Sequence, residues 1–112
     1  MENQHRKIKG YRELSQEEID LMNRIKAKGA ELLQLQSELA ESIQERKGFL
    51  LEKVAAHKAA LDGELRGSRC EAQEELDLIA VAEPSRWASI GKTDIQTGIM
   101  ALVRAVAKPT VC

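Results

Sequence analysis

The sequence is almost without aromatic side chains. Tyr11, Phe49 and Trp87 are the only three in 112 residues, so any core must be assembled from Leu, Ile, Val and Ala. Proline occurs only as Pro84 and Pro109, which leaves long stretches with nothing to interrupt a helix. Cys70 and Cys112 are the two cysteines; isolated from each other and from histidine, they predict free thiols and no zinc centre. No apolar run approaches the roughly 20 residues that span a bilayer. The opening MENQHRKIKGYREL has no apolar signal-peptide core, so the expected location is the cytosol, with no membrane partner. A chain of this length is one small domain, residues 1–112.

What is abundant is Glu, Lys, Leu, Ala and Gln, the composition of long helices. The net charge of −1 conceals a segregated pattern. Residues 1–12 carry +3, residues 13–85 carry −7, and residues 86–112 carry +3. A fold that brings the two ends together builds a positive region suited to a small anionic ligand. The acidic remainder makes a long nucleic acid a poor partner, because a duplex meets repulsion beyond that region.

The first 14 residues form a basic segment, and SQEE then marks a helix start. Ser15 and Glu18 make a capping box, with Leu14 placed to staple onto Ile19. Met22, Gly29, Ile43 and Leu50 follow one seven-residue spacing; Ile25, Leu32 and Leu39 follow a second, offset by three and interrupted by Gln36. A helix over 16–61 follows, roughly 70 Å long at 1.5 Å per residue. DGELRGS predicts a turn over 62–68, and helical pattern resumes over 69–82. EPS at 83–85 breaks it, and Ser85 serves as a cap for a last helix over 86–107, ended by Pro109. Two arms of similar length predict an all-α fold, a long antiparallel helical hairpin with a kinked return arm. Such a hairpin cannot bury both apolar stripes by itself. Gly91 and Gly98 in the apolar last helix allow another helix close, which predicts a homo-oligomer.

The segment RWASIGKTDIQTGIMALVRAV contains IGKTD, which has the look of a phosphate loop. A P-loop requires GxxxxGK[ST], and the position of its first glycine holds Arg86, with no strand before it. What remains is a set of polar groups, Arg86, Lys92, Thr93 and Gln96, within three turns of an otherwise apolar helix. They are either a solvated face or part of a ligand pocket. In HRKIKGYRELS, Gly10 gives Tyr11 a flexible neighbour, with Lys9 and Arg12 flanking. The ring either packs on a helix or stacks on a nucleobase while the cations meet phosphates. Lys26, beside the seam positions Ile25 and Gly29, is on its own an ordinary surface lysine. His5 and His57 have no nucleophile between them and no paired metal-binding motif is present. No catalytic residue, metal or cofactor is therefore expected.

HRKIKGYRELSQEEIDLMNRIKAKG and RWASIGKTDIQTGIMALVRAVAKPT closely resemble the small phage anti-CBASS sponge proteins, which share a helical hairpin domain with anti-Thoeris sponges. The two blocks cover residues 4–29 and 86–110. The resemblance implies a non-enzymatic protein of the infected host's cytoplasm. It sequesters cyclic dinucleotides and cyclic trinucleotides without cleaving them, so that antiviral effectors stay inactive. It also implies a homohexamer with separate pockets for the two ligand classes. Tyr11 would be the base-stacking ring and Lys26 a phosphate contact in the dinucleotide pocket. Arg86 and Thr93, with Gly10 and Arg12 nearby and Lys92 and Gln96 beside them, would line the trinucleotide pocket. Residues 30–85 are longer and more coiled-coil-like than compact members of such a family require, which implies an extended tip. The other reading of that middle section is a structural or adaptor coiled coil that binds a protein partner.

Overall fold

The computed structural model describes residues 13–61 and 70–108. They form an all-α hairpin of three helices, α1 (Gln16–Ala60), α2 (Glu71–Ala82) and α3 (Pro84–Ala107). The turn expected over 62–68 lies outside the described residues, as does residue 69.

α1 starts as its sequence prescribes. The Ser15 amide donates to Glu18 Oε1 at 2.9 Å and the Glu18 amide donates to Ser15 Oγ at 3.1 Å, the reciprocal pair of a capping box. Along α1 the inward positions advance by threes and fours: Met22, Ile25, Gly29, Leu33, Gln36, Ala40, Ile43, Lys47, Leu50 and Val54 are buried or half-buried. The row Met22–Gly29–Ile43–Leu50 therefore faces inward. Of the second expected row only Ile25 does. Leu32 and Leu39 are about half exposed, and their place is taken by Leu33, Ala40, Lys47 and Val54, offset by four instead of three. A straight α-helix drifts about 20° per heptad against a 3.5-residue repeat. That drift turns the offset-three row out of the seam and brings the offset-four row in.

The bend in the return arm occupies a single residue. Glu83 has φ 50°, ψ 52°, a left-handed conformation, and its amide donates to the Ile79 carbonyl at 2.8 Å, closing α2. The Glu83 carbonyl accepts from the Trp87 amide at 3.2 Å, which opens α3. α3 therefore begins at Pro84 and not at Arg86, and Ser85 is not its cap. Proline suits the first helical position because its φ is preset and the missing N–H would have no partner there. The same missing N–H stops α2 from running on. IGKT lies inside α3, so no phosphate loop exists there.

The described residues divide into two compact units, one built from chain up to Leu35 and from Lys92 onward, the other from Gln36–Gly91. In the second unit Leu50, Val54 and Ala88 are buried, with exposures of 2%, 8% and 8%. Gln36, which looks like a defect in the apolar row, donates from Nε2 to the Ala88 carbonyl at 3.1 Å. Further along, Gln44 and Lys47 each donate to Ser85 Oγ at 3.1 Å. Arg46 donates two hydrogen bonds to Glu75, at 2.7 and 2.6 Å. Rising numbers on α1 meet falling numbers on α2 and α3, so the helices of this unit are antiparallel.

Candidate functional site

The first unit is organised around a close approach. Gly29 of α1 is buried, and a Cβ built on it would lie 2.7 Å from Ile99 Cγ1 of α3, with Cδ1 closer still. An added methyl fits here only if the Ile99 side chain shifts. Gly91 and Gly98, the pair suggested by sequence, would each have open space within 4 Å around an added methyl in this chain, so they do not make its close contact.

Two grooves share Ile99 as a wall. One, of 440 Å³, is apolar, lined by Leu21, Ile25, Leu32, Ile95 and Leu102, with Arg24 and Lys28 contributing cations. The other, of 490 Å³, is lined by Lys26, Thr97, Met100, Val103 and Arg104. Lys26 and Arg104 are both exposed, and neither forms an ion pair with another described residue. Two uncompensated cations and a threonine hydroxyl above an apolar floor suit an anion that also carries a flat or apolar face. No carboxylate lines this groove.

Lys26, unremarkable in the sequence, thus stands in the groove, and Thr97 and Arg104 join it without having been selected. A helical-face projection would have found them: Thr93, Thr97 and Arg104 fall at i, i+4 and i+11, one stripe of α3. Thr93 is exposed one turn before Thr97. Lys92 and Gln96 are exposed on α3 and line neither groove. Arg86 belongs to the second unit, where its guanidinium lies 3.6 Å from Glu83 and 5.3 Å from the centroid of the Trp87 ring. Gly10, Tyr11 and Arg12 lie outside the described residues.

No helix among the described residues is long and apolar enough to cross a membrane. Those residues contain no group of three or more His, Cys, Asp or Glu side chains able to hold a metal ion.

The chain matches the family model described as Acb2/Tad1, hairpin domain, over residues 3–107. It is 56% identical over 112 residues to Anti-CBASS protein 2 of Pseudomonas phage JBD67, and the alignment covers 100% of both chains. On a match of this extent, the chain belongs to the Acb2/Tad1 hairpin-domain family.

Proposed function

We propose that this protein is an anti-CBASS sponge that binds cyclic dinucleotides and cyclic trinucleotides and holds them intact in the cytoplasm of the infected bacterial cell. The observation that carries the reading is the groove in which Lys26, Arg104 and Thr97 converge over an apolar floor. A cyclic dinucleotide offers two phosphates and two aromatic faces, and the groove offers two cations and a hydroxyl. Tyr11 supplies a stacking ring in this scheme, and base–aromatic stacking contributes about 1–3 kcal/mol per base. Arg86, Lys92, Thr93 and Gln96, with Gly10 and Arg12, are the proposed trinucleotide contacts. Sequestration needs affinity and abundance and no reactive group, which is why we read the protein as non-enzymatic.

Self-association into a homohexamer is part of the proposal. Large apolar side chains stay exposed in both units, among them Leu21, Leu32, Met100 and Leu102 in the first and Leu78 and Trp87 in the second. Faces of that kind are covered in assemblies.

Isothermal titration with a panel of cyclic di- and trinucleotides tests the reading. Lys26→Met and Arg104→Met should each weaken dinucleotide binding by about tenfold or more, the loss of one charge-assisted hydrogen bond. Tyr11→Ala should do likewise. The ligand should be recovered unchanged after the complex is heated. No binding of any panel member at micromolar concentration overturns the proposal, and a recovered cleavage product overturns its non-enzymatic part.

The adaptor reading draws on Leu78 and Val81, which are 70% and 83% exposed on α2. It requires Leu78→Glu with Val81→Glu to abolish protection of phage while Lys26→Met is harmless. The sponge reading requires the reverse, provided the double variant still assembles.

A further inference from the structure

The groove at Lys26 has two sides. Lys26 belongs to α1, whereas Thr97, Met100, Val103 and Arg104 belong to α3. Its width is therefore set by the spacing of the two helices, and that spacing decides whether one ligand reaches both cations. A close approach of the helices lies nearby. Gly29 is three residues beyond Lys26, on the neighbouring turn of α1, and it is buried against Ile99 of α3. Ile99 lines both the Lys26 groove and the apolar groove, so it is a partition between them as well as a spacer between the helices.

The chemistry of the side chain makes that spacer stiff. A Cβ placed on Gly29 would meet Ile99 Cγ1 at 2.7 Å, and Cδ1 as well. Rotation about χ2 carries Cδ1 away but leaves Cγ1 where it is. Cγ1 yields only to rotation about χ1, and isoleucine in a helix has one strongly preferred χ1 rotamer. The remaining relief is separation of α1 from α3. Either response reaches the groove: a χ1 rotation moves one of its walls, and separation carries Lys26 away from Thr97 and Arg104. Long cationic side chains can follow a small movement. The apolar floor cannot, and a gap of about 0.5–1 Å removes a quarter to a half of a dispersion contact.

We infer that Gly29 and Ile99 are positioning residues for the ligand: their contact sets the width of the groove between Lys26 and the Thr97–Arg104 stripe, and with it the affinity for a cyclic dinucleotide. Gly29 lines only the neighbouring apolar groove, so it acts on the ligand through Ile99. The inference rests on the proposal that the Lys26 groove is the dinucleotide site.

Isothermal titration of the full-length protein with cyclic di-AMP and cyclic tri-AMP tests it, because Kd and stoichiometry are read separately. Gly29→Ala should raise the Kd for cyclic di-AMP by about tenfold, with stoichiometry retained. The Kd for cyclic tri-AMP, whose proposed contacts lie outside this groove, should hold. Ile99→Ala in the Gly29→Ala background vacates the space that the methyl needs and should recover most of the loss. Val54→Ala truncates a buried side chain of the other unit; it supplies a loss of stability alone and should leave the Kd for cyclic di-AMP unchanged. If circular dichroism shows Gly29→Ala unfolded, Ile99→Leu takes its place. It removes the β-branch that stiffens the spacer and should weaken cyclic di-AMP selectively, by a smaller factor. An unchanged Kd in the variant used overturns the inference, whether or not stoichiometry falls. So does an equal loss for both ligands, or a double variant that binds no better than Gly29→Ala. Failure of the wild type to bind any cyclic dinucleotide removes the dinucleotide reading and the inference with it, whereas wild-type binding matched by Gly29→Ala removes the inference alone.

Discussion

Residues 36–61 and 70–91 hold Leu50, Val54 and Ala88, the buried apolar side chains among the described residues. They are also joined across helices by the Gln36–Ala88, Gln44–Ser85, Lys47–Ser85 and Arg46–Glu75 contacts. In residues 13–35 and 92–108 the helices meet instead at Gly29, and Leu21, Leu32, Met100 and Leu102 remain at the surface. The first of these regions holds the buried apolar side chains and the cross-helix hydrogen bonds, although Leu78, Val81 and Trp87 stay exposed there. The second lines two grooves with its apolar side chains and its cations. Under the proposed function, stability and recognition fall to different stretches of the same two long helices.

The largest expected effect tests that division directly. Leu50→Ala should lower the free energy of unfolding by about 2–4 kcal/mol, the usual cost of truncating a buried leucine. Leu102→Ala, at a side chain 55% exposed, should cost less than about 1 kcal/mol. Urea denaturation at low protein concentration reads both. Equal costs would break the comparison and show that the Leu102 face is covered even in the dilute protein.

Gly29 is the next point of leverage. Gly29→Ala gains about 1 kcal/mol of helix propensity, but its methyl is forced into Ile99, and overpacking costs about 1–3 kcal/mol. The net expectation is a loss of about 1 kcal/mol. Ile99→Ala removes the obstructing atoms, so its cost should be smaller in the Gly29→Ala background than in the wild type. A double-mutant cycle measures that coupling. Additive costs would mean that the close approach is not the constraint.

Smaller still is the contribution of the surface clamp in the other unit. The Arg46 hydrogen bonds hold the Glu75 carboxyl below its ordinary range, with their attraction adding to the same direction. A depressed folded-state value means that the stabilisation is present above the unfolded carboxylate pKa and disappears as pH falls through the folded one. Glu75→Gln should therefore reduce stability slightly at neutral pH, and the difference from wild type should close in acid. Melting curves from neutral pH down into the acid range follow it. A gap that persists at the acid end would locate the effect in packing, for instance through the Phe49 ring, over which Arg46 lies at 5.3 Å.

How much of this can be read from the chain follows from the range of each interaction. The capping box of Ser15 and Glu18 is local and therefore legible, as is the Met22–Gly29–Ile43–Leu50 row. Leu32 and Leu39 depart from expectation because a strict heptad ignores the drift of a straight helix, which accumulates over several turns. Ser85 has the local pattern of a cap before Arg86; the competing fact is Pro84, whose geometry starts the helix earlier. Ser85 then serves Gln44 and Lys47, 41 and 38 residues away, which no local pattern reports. In the candidate site Lys26 stands out in the sequence only through resemblance, and Thr97 and Arg104 share a helical stripe with Thr93 that the sequence already contains, but only the groove between α1 and α3 brings that stripe to Lys26. Gly10, Tyr11 and Arg12 stay with the sequence argument, outside the described residues.

The smallest effect concerns the bend itself. Glu83 is held at φ 50°, a conformation that costs a non-glycine residue about 1 kcal/mol or more and glycine almost nothing. Glu83→Ala keeps that cost and loses only the exposed pair with Arg86. Glu83→Gly loses the pair too but removes the cost, partly offset by about 0.4–1 kcal/mol of extra freedom in the unfolded chain. Glycine should therefore exceed alanine in stability by about 0.5 kcal/mol, a difference of about 2 °C in Tm for a domain of this size. Alanine equal to or better than glycine would mean that the bend is not made by Glu83 adopting the left-handed conformation.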